Sequence, residues 1–109
     1  MAMETWQPSP DTVRDGPSAA LATHRDEVIA ILNEVGGQNV RVFGSVARGD
    51  DTKASDIDLL ADFSPNVGIF SITGAWNRLR DLLGFDVDLI PADGLKPRMA
   101  HVLSEAVVL

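Results

Sequence analysis

Two pairs of aspartates and one glycine-serine step carry the chemistry open to this chain. Asp56 and Asp58 flank Ile57, and Asp86 and Asp88 flank Val87, each pair inside a short aliphatic run. In a strand, successive side chains alternate faces. Each acid pair therefore shares one face, about 7 Å apart, while Ile57 and Leu59, or Val87 and Leu89, turn to the other. If the two strands are neighbours, Asp56, Asp58 and one or both of Asp86 and Asp88 converge. Carboxylates crowded without a basic partner repel one another, which favours a cation among them. Oxygen ligands with no His or Cys beside them select a hard divalent ion, Mg²⁺ or Mn²⁺.

Gly44 and Ser45 stand upstream, where the run Val40 to Phe43 ends and a turn or short helix begins. Backbone N–H groups point outward at such a junction, and glycine lets the backbone approach a ligand closely. Ser45 adds a hydroxyl. A phosphate cradle beside a divalent-metal site is the equipment of nucleoside-triphosphate chemistry. Arg48 follows within one turn. It reaches either the triphosphate and the acids or, on the surface, Asp50 or Asp51.

The elements that must position these groups are legible in the hydrophobic spacing. Leu21, Val28, Ile31, Leu32 and Val35 recur at helical intervals until Gly36-Gly37. Val40 to Phe43 and Ile57 to Phe63 read as strands, the second closed by Ser64-Pro65-Asn66. Ile72, Trp76, Leu79 and Leu83 line a long helix ended by Gly84, and Phe85 to Pro91 is a third strand. Met99, Val102, Leu103 and Ala106 predict a last helix running to the C-terminus, with Ser104 and Glu105 on its wet side. The order is α/β: helices covering a small sheet.

Residues 1–17 have three prolines and no periodicity and read as an arm, either disordered or pinned by Trp6, with an expression remnant in the opening Met-Ala-Met. Residues 18–109 form the one domain that 109 residues allow. The net charge of −7 excludes non-specific nucleic-acid binding, which relies on Lys and Arg against phosphate. No apolar run approaches a membrane span, the chain has no cysteine, and a cytoplasmic location is the expectation. Trp76 reads as core, Lys53 as a solvated turn residue, Ser55 as either a strand-start serine or a hydrogen-bonding group that orients Asp58 or the Gly-Ser turn, and His24 and His101 as surface groups.

Gly44-Ser45, ten intervening residues, then Asp56-Ile57-Asp58 matches the G-S-x10-D-x-D signature of the DNA polymerase β-like nucleotidyltransferase superfamily. The stretch Phe43 to Leu60 resembles its minimal nucleotidyltransferase group. These are stand-alone domains of about this length, commonly paired as antitoxins with a HEPN-domain toxin. The resemblance runs from about Val28 to the C-terminus. It implies a small mixed sheet flanked by helices, with Asp56, Asp58 and Asp88 as catalytic metal ligands. Asp88 takes the third place because it sits in a Val-Asp-Leu strand, and Asp86 becomes a rim residue. Gly44, Ser45 and Arg48 would hold the nucleotide.

The activity so implied is Mg²⁺-dependent transfer of AMP from ATP to a tyrosine hydroxyl of the HEPN toxin. About twenty residues follow Asp88, too few for an acceptor pocket of the kind larger relatives build from extra domains, so a partner or a second copy of this chain is expected to complete the site. Two rival readings stay open. One is a non-catalytic antitoxin that acts by binding alone. The other is a small-molecule nucleotidyltransferase working as a homodimer.

Overall fold

The structure is a computed structural model describing residues 4–109, and Met-Ala-Met at the start lies outside them. The strand that alternation predicts most clearly lies inside the sheet. The strand Ile57–Phe63 (β2) is antiparallel to Gly37–Phe43 (β1) and parallel to Val87–Pro91 (β3). A two-residue strand, Val107–Val108 (β4), pairs antiparallel with the outer side of β1. The sheet is mixed, in the order β3-β2-β1-β4.

Parallel neighbours need a crossover, and the long helix Ile69–Leu83 (α4) provides it between β2 and β3. Two further helices, Pro17–Thr23 (α1) and Arg25–Glu34 (α2), precede the sheet. With α4 they cover the face carrying Val40, Val42, Ile57, Leu59, Ala61, Val87 and Leu89. The opposite face carries Phe43, Leu60 and Ile90, packed under Val102 of a short helix, Ala100–Glu105 (α5). Both faces of β2 are covered in its middle, so Leu59, Leu60 and Ala61 are buried in succession.

Five expectations need correction. β3 starts at Val87, not at Phe85, and leaves Phe85 and Asp86 ahead of it. The first helical pattern is two helices that break at His24, whose backbone (φ −109°, ψ 19°) is off-helical and lets the two segments pack at different angles. β1 begins at Gly37, earlier than Val40, with Asn39 at φ 52° marking an irregularity in the ladder. The last helix stops at Glu105 because the β-branched pair Val107–Val108 joins the sheet. Leu103, assigned to its apolar stripe, is 52% exposed.

The arm is anchored. Trp6 is 3% exposed within the main core, its backbone N–H donates to the Val108 carbonyl, and its indole N–H donates to the Val46 carbonyl. The Arg25 guanidinium lies 5.5 Å above its ring. Among the described residues no helix is long and apolar enough to cross a membrane.

Candidate active site

The site lies where β1 ends and β2 and β3 begin. Asp58, the second residue of β2, has Phe43 as register partner on one side and Asp88 on the other. Adjacent strands are about 4.8 Å apart, so the two aspartates are immediate neighbours on the face shared with Leu60 and Ile90. The chain then turns sharply after Phe43. Gly44 takes φ +74° and opens a five-residue helix, Gly44–Arg48 (α3), which ends in the left-handed Gly49.

That turn is made against Asp58. A β-carbon on Gly44 would lie 2.0 Å from Oδ2 of Asp58, so only glycine admits the carboxylate here. The first N–H groups of α3 have no helical carbonyl to meet, and that of Gly44 donates to a carboxylate, Glu105. Ser45 is half-buried on the first turn. The geometry thus brings together Gly44, Ser45, Asp58 and Asp88.

Asp56, one residue ahead of β2, is exposed, but its charge reaches Asp58. It also lines an open cleft of about 870 Å³ between the start of β2 and the end of α4, together with Lys53, Ser55, Asn77, Arg80 and Asp86. Asp86 is outside the strand and pairs with Arg80 at 3.6 Å, as befits a rim residue.

The electrostatics follow from this crowding. Burial, then the charge of Asp88 and a proton shared with it, then the charge of Asp56, push the Asp58 carboxyl up to about 6. Arg48 opposes the rise. Among the described residues, no group of three or more His, Cys, Asp or Glu side chains is drawn together closely enough to hold a metal ion. The carboxylates are neighbours whose charges meet. Their donor set, oxygen only and short of positive charge, fits a hard divalent ion better than any softer metal.

Arg48 has two anionic partners. Nε donates to Asp50 at 3.3 Å and Nη1 to Glu105 at 3.0 Å, while Asp51 is engaged elsewhere. Asp51 is buried and accepts hydrogen bonds from the Ser18 N–H (3.0 Å) and hydroxyl (2.6 Å), which ties the loop before β2 to α1. Ser55 caps a turn by accepting from the Thr52 N–H. Lys53 is exposed, His24 bonds Glu27 on the surface, and the Trp76 indole donates to the Val87 carbonyl beside Asp88.

Glu105, expected on the wet side of the last helix, instead turns inward, and its carboxylate accepts from the Gly44 N–H at 2.6 Å. The signal was present. Val102, Glu105 and Ala106 stand at i, i+3 and i+4, so a buried Val102 brings Glu105 toward the same side.

A nucleotidyltransferase domain model matches residues 24–108. The chain belongs to that family. It is a nucleotidyltransferase, and its curated relatives carry more specific names. Protein adenylyltransferase MntA of Thermococcus cleftensis is 32% identical over 88 residues, which cover 81% of this chain and 86% of the relative. A candidate protein adenylyltransferase of Methanocaldococcus jannaschii is 30% identical over 82 residues, 74% of this chain and 88% of its own. The nucleotidyltransferase also matches a solved candidate minimal nucleotidyltransferase with a TM-score of 0.76 and 38% identity, over 84% of this chain and 95% of that one. A toxin–antitoxin structure solved with AMP-PNP shares the fold, with a TM-score of 0.67 and 20% identity over 76% and 69% of the two chains.

Proposed function

We propose that this chain is a protein adenylyltransferase that moves AMP from ATP onto a tyrosine hydroxyl of a HEPN-class toxin, acting in the cytoplasm as the antitoxin of the pair. One observation carries the reading: the backbone turn at Gly44 is built against Asp58, and Asp58 is the register neighbour of Asp88. This arrangement joins a phosphate cradle to a carboxylate cluster on one rim. The relatives named as protein adenylyltransferases and the toxin–antitoxin likeness support the choice of AMP and of a toxin as acceptor.

In this reading the N–H groups at Gly44-Ser45 and the Ser45 hydroxyl grip the outer phosphates, and Arg48 adds positive charge there. Asp56, Asp58 and Asp88 would hold Mg²⁺ or Mn²⁺, which when bound neutralises the phosphate charge and aligns the reacting oxygens. Asp88 faces the acceptor and takes the proton of its hydroxyl as that oxygen attacks the α-phosphorus. The bond to the bridging oxygen breaks and pyrophosphate leaves. Asp58 must be ionised to serve, and a carboxyl held at about 6 is mostly ionised at neutral pH.

The test uses the chain with its toxin, ATP and Mg²⁺. Relief of toxicity that is lost in Asp88→Asn, while the complex still forms, supports the enzyme. Relief that persists in Asp88→Asn with no modification of the toxin supports neutralisation by binding alone.

A further inference from the structure

The Gly44 amide and the Arg48 guanidinium are already holding an anion. Both donate to the same oxygen, Oε1 of Glu105, at 2.6 and 3.0 Å. An N–H and a guanidinium converging on one carboxylate oxygen reproduce the way such groups grip a phosphate oxygen. The carboxylate arrives from α5, 61 residues further along the chain than Gly44.

We propose that Glu105 is a built-in competitor for the polyphosphate of the incoming nucleotide: its carboxylate holds the Gly44–Arg48 cradle in the free protein and must swing out for the triphosphate to enter. The proposal rests on reading that cradle as the nucleotide's phosphate site. Two anions cannot share the same two donors without strong like-charge repulsion. The exchange needs little movement of the backbone. Val102 fixes α5 by packing on Phe43 and Leu60, and β4 ties the chain to β1 directly afterwards. The glutamate side chain alone has the freedom to leave, and at 24% exposure it already borders water.

Arg48 keeps its bond to Asp50 at 3.3 Å and so stays at the rim when Glu105 departs. The cradle is therefore held in shape and kept from stray anions until a ligand of higher charge displaces the glutamate. The contrary role would be structural, with Glu105 propping Arg48 and the Gly44 turn into the conformation that phosphates need. The two roles give opposite signs.

Binding of ATP and of inorganic tripolyphosphate to the full chain, with Mg²⁺, is measured by calorimetry for the native protein, Glu105→Gln and Glu105→Ala. Thermal melting confirms that each variant is folded. Loss of one charged competitor tightens both ligands in Glu105→Ala by roughly five- to tenfold. Glu105→Gln, which keeps the hydrogen bonds but not the charge, falls between. Unchanged or weaker binding in folded Glu105→Ala overturns the competitor while leaving the phosphate cradle standing. No binding of either ligand to any of the three proteins overturns both.

Discussion

Gly44 and Asp58 are fitted to each other: the space that a β-carbon on Gly44 would take is the space that Oδ2 of Asp58 fills, 2.0 Å away. The positive φ of Gly44 adds a second reason for glycine, since the left-handed region costs an L-residue about 1 kcal/mol or more. Gly44→Ala must therefore push Asp58 out of line or reshape the turn into α3. The expected outcome is a loss of transfer of at least a hundredfold in a protein that still folds, with stability lower by ~1–3 kcal/mol. Near-native turnover by Gly44→Ala in a labelled-ATP assay would remove the cradle from the account.

Asp58 gives a pH dependence of definite sign. Its folded value, about 6, lies above the ordinary value of 3.8, so between those limits the folded chain binds more protons than the unfolded one. This residue's contribution therefore makes stability fall as pH rises from about 4 to about 6, then stay level. In buffers with EDTA, Asp58→Asn flattens that part of the melting-temperature profile and raises the melting temperature at pH 7.5 by a few degrees at most, after allowance for solvent screening. A variant less stable than the native protein at pH 7.5 contradicts the crowding argument.

Mg²⁺ extends the same reasoning. A cation among Asp56, Asp58 and Asp88 offsets their repulsion, so millimolar Mg²⁺ raises the melting temperature of the native protein. Ligand-linked stabilisation is largest when the ion binds only the folded chain. The shift shrinks in Asp58→Asn and in Asp88→Asn. An equal shift in all three proteins would place the ion elsewhere.

Trp6 of the arm and Ser18 of α1 both bond to the segments that lead into the site. Trp6 bonds the Val46 carbonyl within α3, and Ser18 bonds Asp51 in the loop that leads to Asp56. Trp6→Ala removes a buried aromatic group and two-sided anchoring, at a cost of about 3 kcal/mol or more in denaturant unfolding. Ser18→Ala leaves the buried Asp51 carboxylate one partner short, at a cost of about 1–3 kcal/mol. A Trp6→Ala protein as stable as the native chain would mean the arm is an appendage.

How much of this was legible in the sequence varies with the length of each signal. β2 has the predicted bounds, Ile57 to Phe63, because seven residues between two turn clusters leave alternation no competitor. Alternation gave each of Asp58 and Asp88 a face of its own strand, whereas their convergence depended on the two strands being neighbours, which the register pairing shows them to be. The break at His24 was not readable, since neither Gly nor Pro marks it and one helical stripe runs across it. β4 is two residues long and exists only because β1 offers an edge. Residues 107 and 108 alone cannot signal a tertiary pairing.

Asp56 and Glu105 show the limit from opposite directions. Alternation placed Asp56 beside Asp58, but β2 begins at Ile57, and Asp56 stands at the rim, exposed, between the carboxylate cluster and the cleft. Glu105 belongs to the site through a contact 61 residues long, and only its phase relative to Val102 hinted at it.

The central claim is that AMP moves, and the position of the label decides it. The native chain is incubated with Mg²⁺, the proposed toxin partner and ATP labelled at either the α- or the γ-phosphate. The expected outcome is that α-label enters the toxin, γ-label departs with pyrophosphate, and neither label appears with Asp58→Asn or Asp88→Asn. Label from the γ-phosphate on the toxin, or α-label undiminished in both variants, would contradict it.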